Sequence, residues 1–232
     1  MVVFLRLKWI KLEYYLNKIL KQLQMKKYIL SLFLYTSLAI QSQTIGDIFK
    51  FMPENMLPGV SEGNKTMLIV DSTNTTVPYI FGEIKKVSHN SNYLKIETSE
   101  IGTLQLKKLP VSADSSIVSV IRTVCGSSDA DVCNSTITFY TLNWTELENK
   151  SYLPVISPKI FMDSSKKELD NYKYALSLPD IYPISATFNE TGTDLILRFH
   201  YKDRITASQA KEFDFFLNSD SVVLKWDGSA FR

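Results

Sequence analysis

Two cysteines, two histidines and a small group of acids and amides are the residues whose spacing could speak for chemistry. Cys125 and Cys133 bracket G-S-S-D-A-D-V, His89 lies in S-H-N-S-N, and His200 lies in R-F-H-Y. A redox pair needs Cys-x-x-Cys, and a zinc site or a cysteine nucleophile needs a nearby imidazole. Neither condition is met, so Cys125 and Cys133 read as a structural disulfide. In the loop-entropy picture a bridge over so short a loop stabilises by about 2 to 3 kcal/mol, less any strain. Each histidine reads better as a surface or half-buried structural group than as a ligand or base. Asp129 and Asp131, near Asn134, place oxygens at alternating positions that Ca²⁺ could use. The glycine and the distal glutamate of a calcium loop are missing, and solvated turn carboxylates are the better reading. The chain has eight glycines and no Gly-rich phosphate loop, H-E-x-x-H or G-x-S-x-G. No catalytic residue, cofactor or metal ligand is therefore expected. A carboxylate pair for glycan hydrolysis would be invisible at this level, because the separation of two acids is a property of the fold. The remaining candidates are aromatic: Tyr140, Trp144, Tyr152 and Trp226 as a surface for a protein, peptide or glycan. Core packing and cross-strand pairing explain most such residues without a ligand.

The element that must position the cysteines is a long hairpin. Ser116 to Cys125 and Val132 to Trp144 are rich in β-branched and aromatic residues, and a polar Gly-Ser-Asp loop joins them. Around it the pattern is that of strands: Met67 to Val70, Val77 to Val87, Tyr93 to Glu97, Thr103 to Lys108, Ser116 to Cys125 and Val132 to Tyr140. Turn-rich segments separate these runs and no long helical pattern intervenes, which argues an antiparallel meander. Leu94 and Ile96 alternate with Lys95 and Glu97, and Leu104 and Leu106 with Gln105 and Lys107, the mark of strands buried on one face. A helix is expected after Thr44, its N-cap, with Asp47 in the first turn and Ile45, Ile48, Phe49 and Met52 facing a core. Asp163 to Asp170 reads as the start of a short helix capped by Asp163 or Ser164. Ile184 to Asn189 and Asp194 to Tyr201 read as a hairpin. Thr206 and Gln209 form a capping box before an apolar stripe of Ala210, Phe213, Phe216 and Leu217, with Asn218 as C-cap. Val222 to Trp226 closes the fold, which is expected to be α+β and mainly antiparallel sheet.

Charge and the N-terminus speak for compartment. Of 26 Lys and Arg and 24 acids, seven basic residues and one acid fall in the first 43 positions, leaving 19 against 23. A net-acidic remainder lacks the basic footprint of a nucleic-acid binder, so no nucleic acid is expected as a partner. Met25-Lys26-Lys27, the apolar Tyr28 to Ile40 and Gln41-Ser42-Gln43 have the grammar of a secretory signal, cut after Ser42. The apolar core is short for a membrane span, so membrane contact is expected only through the cleaved signal. Residues 1–24 read as an initiator placed too early. The expected organisation is a signal at 25–42, a sheet region at 43–160 and a hairpin, helix and strand unit at 161–232, as one domain or two. The expected location is the periplasm or outside the cell, where two cysteines pair.

Four segments together resemble a secreted Bacteroidetes family, domain of unknown function 3256. They are T-I-G-D-I-F-K-F-M-P-E-N-M-L-P, S-S-I-V-S-V-I-R-T-V-C with T-F-Y-T-L-N-W, K-S-Y-L-P, and the terminal F-D-F-F-L-N-S-D-S-V-V-L-K-W-D-G-S-A-F-R. The resemblance implies export in a Gram-negative bacterium and brings no catalytic residues. The sequence thus points to a non-catalytic binding module, with a periplasmic hydrolase using a carboxylate pair as the alternative.

Overall fold

Thr44 opens a helix by reciprocal capping: its hydroxyl takes the Asp47 amide 3.2 Å away, and the Asp47 carboxylate takes the Thr44 amide at 3.2 Å. Helix α1 (Ile45–Lys50) lays Ile45, Ile48 and Phe49 into the core. The computed structural model describes residues 21–22, 43–70, 75–126, 132–177, 183–202 and 205–232. The expectations for the upstream segment and the signal fall outside those residues, apart from 21–22, and so do those for Asp129 and Asp131.

Met67 to Val70, expected as a strand, is the last turn of helix α2 (Glu62–Val70). The reason lies upstream. The Ser61 hydroxyl takes the Asn64 amide at 3.2 Å, and the Ser61 carbonyl takes the Lys65 amide at 3.0 Å, so a helix is already running when the apolar run begins. Lys65 and Leu68, three apart, face inward, and Lys65 Nζ donates to the Met52 carbonyl at 2.5 Å. Tertiary burial of that face overrides the local β-propensity.

From Thr76 the chain builds a seven-stranded antiparallel meander in sequence order. Its strands are β1 (Thr76–Tyr79), β2 (Gly82–His89), β3 (Tyr93–Glu97), β4 (Gly102–Pro110), β5 (Ser116–Cys125), β6 (Cys133–Thr141) and β7 (Glu146–Leu147). The run Val77 to Val87, expected as one strand, is two. A turn at Ile80-Phe81 divides it, and Gly82 follows at φ +113°, a conformation that side chains disfavour. After a short helix α3 (Tyr172–Ser177), strands β8 (Ile184–Phe188), β9 (Leu195–Phe199) and β10 (Ser221–Leu224) form a second antiparallel sheet in the order β10-β9-β8. Helix α4 (Ala207–Asp214) carries the expected Thr206–Gln209 capping box. It stops earlier than expected, with Phe215 rather than Asn218 as the cap residue, because the chain turns out to bridge Met162 at Leu217, where the Asn218 amide donates to the Phe161 carbonyl at 2.9 Å. Asp163 caps a single 3₁₀ turn at Ser164–Lys166 by accepting the Ser165 amide at 3.0 Å.

Alternation along the meander feeds two cores. Ile48, Phe49, Leu94, Ile96, Leu104, Leu106, Val118 and Val120 share one with α1 and α2. Tyr93, Leu109, Ile117, Ile121, Ile137 and Phe139 share the other with Phe188, Leu197, Phe199, Phe213 and Phe231. Both faces are covered, so the expectation of a polar, solvated face at Gln105 and Lys107 is corrected: each is only 2% exposed. Residues from both sides of position 160 mix in the second core, and Thr44–Arg232 forms a compact unit. The protein is α+β and mainly antiparallel sheet.

The cysteines close the central hairpin. Cys125 and Cys133 face each other in the β5–β6 register and are disulfide-bonded, with Cα atoms 3.9 Å apart. The backbone parity of β6 makes this a non-hydrogen-bonded pair, the closer of the two antiparallel pair types.

Candidate functional site

The meander is incomplete along one edge. Strand β6 pairs with β5 from Cys133 to Thr141, but β7 pairs with it only at Phe139 and Tyr140. The chain leaves the sheet there for local reasons. A tight turn returns the Thr141 amide to the Thr145 carbonyl at 2.9 Å, and after Leu147 a 3₁₀ turn at Asn149–Ser151 bends the backbone away. Pro154 follows and cannot donate to a ladder. Among the described residues no strand lies against the outer edge of β6 from Asn134 to Thr138. A groove of about 510 Å³ runs along that edge, floored by Leu153, Ile156, Ile184, Ala186 and Leu197 and walled by Asn134, Thr136, Thr138 and Asn149.

The parity of β6 fixes which groups face the groove. Asn149 Nδ2 donates to the Ile137 carbonyl at 2.8 Å from the outer side, and the Thr141 amide also points outward to Thr145. On the inner side, the Val132 carbonyl takes the Gly126 amide at 2.9 Å. Amides and carbonyls of one strand residue point the same way and alternate along the strand. Ser135 and Ile137 therefore turn their backbone groups to the groove, while Asn134, Thr136 and Thr138 turn theirs to β5.

The opposite wall of the groove is held by a polar row on the meander. Gln105 Oε1 accepts the Tyr93 hydroxyl at 3.1 Å, the Thr187 hydroxyl at 3.0 Å and the Phe188 amide at 3.1 Å. Ser135 Oγ accepts the Ala186 amide at 2.9 Å and is shared with Thr123 at 2.7 Å. Lys107 Nζ donates to the carbonyls of Asn189 and Glu190, both at 2.9 Å, and lies 5.1 Å from the Tyr93 ring centroid. Burial lowers the Lys107 pKa, opposed by the Glu190 carboxylate, and burial raises that of Tyr93. These side chains satisfy the buried outer edge of β8, whose amides would otherwise lose their water without replacement.

The four aromatic candidates do not form one surface. Tyr140 and Trp144 pack together, centroids 5.6 Å apart, against the core beneath α1. Tyr152 and Trp226 stack at 6.3 Å against the other core, with Phe139 5.1 Å from Tyr152 and Phe231 5.1 Å from Trp226. The cause is the period of two: Phe139 and Tyr140 are neighbours on β6 and point to opposite faces. Both indoles are also engaged, Trp144 Nε1 with the Ile48 carbonyl at 3.0 Å and Trp226 Nε1 with the Pro110 carbonyl at 2.7 Å. Trp144 sits at φ +63°, a strained position for a bulky residue, held by that indole contact and its packing.

Other polar pairs have less room to act. His200 is buried just past β9, and its Nε2 lies 2.8 Å from Ser185 Oγ, the distance of a nucleophile and its base. Ser185, however, alternates with Ile184 and Ala186, which line the groove, and so points to the other face of β8. The Ser119 hydroxyl is fully buried and has no hydrogen-bond partner among the described residues. Its cross-strand neighbour Lys107 is already committed to two carbonyls. Among the described residues no group of three or more His, Cys, Asp or Glu stands close enough to hold a metal ion. No helix among them is long and apolar enough to cross a membrane.

The groove was not anticipated from sequence. Its signals are the polar run Asn134-Ser135-Thr136 on a strand and the break at Tyr152-Leu153-Pro154, and neither distinguishes a bare edge from a covered one. The chain belongs to the family described as Protein of unknown function (DUF3256), whose model matches residues 37–231. Its fold is similar to a domain of an uncharacterized protein from Porphyromonas gingivalis W83. The match has a TM-score of 0.67 at 22% identity and covers 81% of this chain and 96% of that one. No curated protein matches.

Proposed function

We propose that this member of the DUF3256 family is an exported, non-catalytic module of a Gram-negative envelope that binds a polypeptide segment in the groove between β6 and β8. The groove carries the reading: a concave, apolar floor beside a strand edge with outward backbone groups suits a chain segment better than a small polar metabolite. Export is supported by the signal grammar of residues 25–42 and by the Cys125–Cys133 disulfide, a bond of oxidising compartments.

The hydrolase alternative needs a carboxyl held protonated near neutrality. Among the described residues, Asp47, Asp163 and Asp227 are the carboxyls whose pKa departs clearly from the ordinary value, and all three go down. That is the direction of stabilised carboxylates, not of a general acid.

The test compares two neighbouring substitutions in protein recovered from its native envelope. Ile156→Arg puts a charge on the groove floor, whereas Val155→Arg changes a residue that is 87% exposed and outside the lining. The reading expects a stoichiometric polypeptide to co-purify with wild type and Val155→Arg and to be lost from Ile156→Arg. Equal recovery from all three, or glycan turnover by the purified protein, contradicts it.

A further inference from the structure

We infer that the partner segment is taken up as an added β-strand alongside β6, extended and uncharged, over a footprint of about five residues at roughly 3.3 Å each. The inference rests on the groove reading and specifies how that groove recognises its ligand. Three observations carry it.

The first is the edge. From Asn134 to Thr138 β6 is a regular strand with β5 on one side and, among the described residues, no strand on the other. Ser135 and Ile137 turn amides and carbonyls outward in the alternating pattern of a strand ladder, with the Ile137 carbonyl taken by the Asn149 side-chain amide. Soluble proteins normally blunt such edges with charge, proline or a cover. Asn134-Ser135-Thr136-Ile137-Thr138 contains neither a charge nor a proline.

The second is Asn149. Its side-chain amide donates to the Ile137 carbonyl at 2.8 Å, the position an incoming strand's N–H would take. A primary amide is the side-chain copy of a peptide group. Asn149 already shows that the site accepts an amide donor at that point.

The third is charge. Every residue lining the groove is neutral. A charged side chain on the ligand would be desolvated against Leu153, Ile156 and Leu197 with no counter-ion in the lining, so the segment that fits carries Ser, Thr, Ala or aliphatic residues on its inward positions.

The test is amide exchange and methyl chemical shift by NMR on the mature protein. The probe is a saturating pool of N-acetylated, C-amidated hexapeptides randomised over Ala, Ser, Thr, Val, Ile and Leu. Strand addition predicts that exchange of the Ser135 and Ile137 amides slows about 10-fold or more on adding the pool. Asn134, Thr136 and Thr138, already bonded to β5, are unchanged, and a pool methylated at every backbone nitrogen is without effect. If the Leu153, Ile156 and Leu197 methyls shift while Ser135 and Ile137 keep their exchange rates, or if the methylated pool acts equally well, strand addition is overturned and the groove reading stands. If neither methyls nor amides respond, both are overturned.

Discussion

Gln105 Oε1 on β4 accepts the backbone amide of Phe188 on β8 at 3.1 Å, so one side chain of the meander does for β8 what a neighbouring strand would do. The same oxygen accepts the Tyr93 and Thr187 hydroxyls, and Lys107, two residues along, donates to the two carbonyls beyond Phe188. The second sheet is thereby set on the first at a fixed place, and the space left beside β6 is the groove.

Gln105→Leu removes one acceptor and strands three donors, two of them buried. Leaving buried polar groups unpaired costs roughly 1 to 3 kcal/mol each, partly recovered by relaxation. The expected loss is about 2 to 4 kcal/mol in urea unfolding, with the same mutation at exposed Lys85 neutral within about 0.5 kcal/mol.

Trp144→Phe keeps the ring and loses the indole donor to the Ile48 carbonyl, which ties α1 to the end of β6. The stability loss is expected near 1 to 2 kcal/mol. Because the aromatic pairs pack on the two cores and none of them lines the groove, the co-purifying partner should be retained; its loss from folded Trp144→Phe would restore the aromatic surface as the site.

The disulfide is a staple on the hairpin that carries the free edge. Replacing both Cys125 and Cys133 with Ser should lower stability by about 2 to 3 kcal/mol on the loop-entropy model. Intact mass of the exported wild type under non-reducing conditions should be two hydrogens short of the reduced chain.

Acid should loosen the C-terminal turn. The Asp227 carboxylate accepts the Ser229 hydroxyl and amide and the Ala230 amide, and pairs with Arg232, which holds its pKa down to about 2. A carboxyl depressed in the folded state stabilises above its ordinary value of 3.8 and loses that contribution as pH falls through the folded value. The Trp226 indole N–H resonance, next to this turn, should therefore move between about pH 4 and pH 2. In Asp227→Asn that step should be absent.

Much of this architecture is readable in the sequence because its signals are local. The Thr44 and Thr206 caps, the β5–β6 hairpin and the alternation of Leu94 and Ile96 each follow from a few adjacent residues. The run Met67–Val70 reads as a strand yet is helical, because its helix is nucleated at Ser61, outside the apolar stretch. Gln105 and Lys107 look solvent-facing because a one-dimensional pattern does not show that a second sheet covers them. The groove was illegible for a related reason: a bare edge is defined by what fails to pair with it, and that depends on where Pro154 and the Asn149 turn send the chain.

The central claim is that a polypeptide lies along β6, and site-specific photocrosslinking in the native envelope tests it most directly. A benzophenone amino acid at Thr136, on the groove wall, is compared with one at the exposed Glu83 on β2. The account predicts a discrete adduct to one polypeptide from position 136, absent from position 83 and suppressed by Ile156→Arg. Identical adduct patterns from both positions, or an adduct from 136 that survives Ile156→Arg in folded protein, would contradict it.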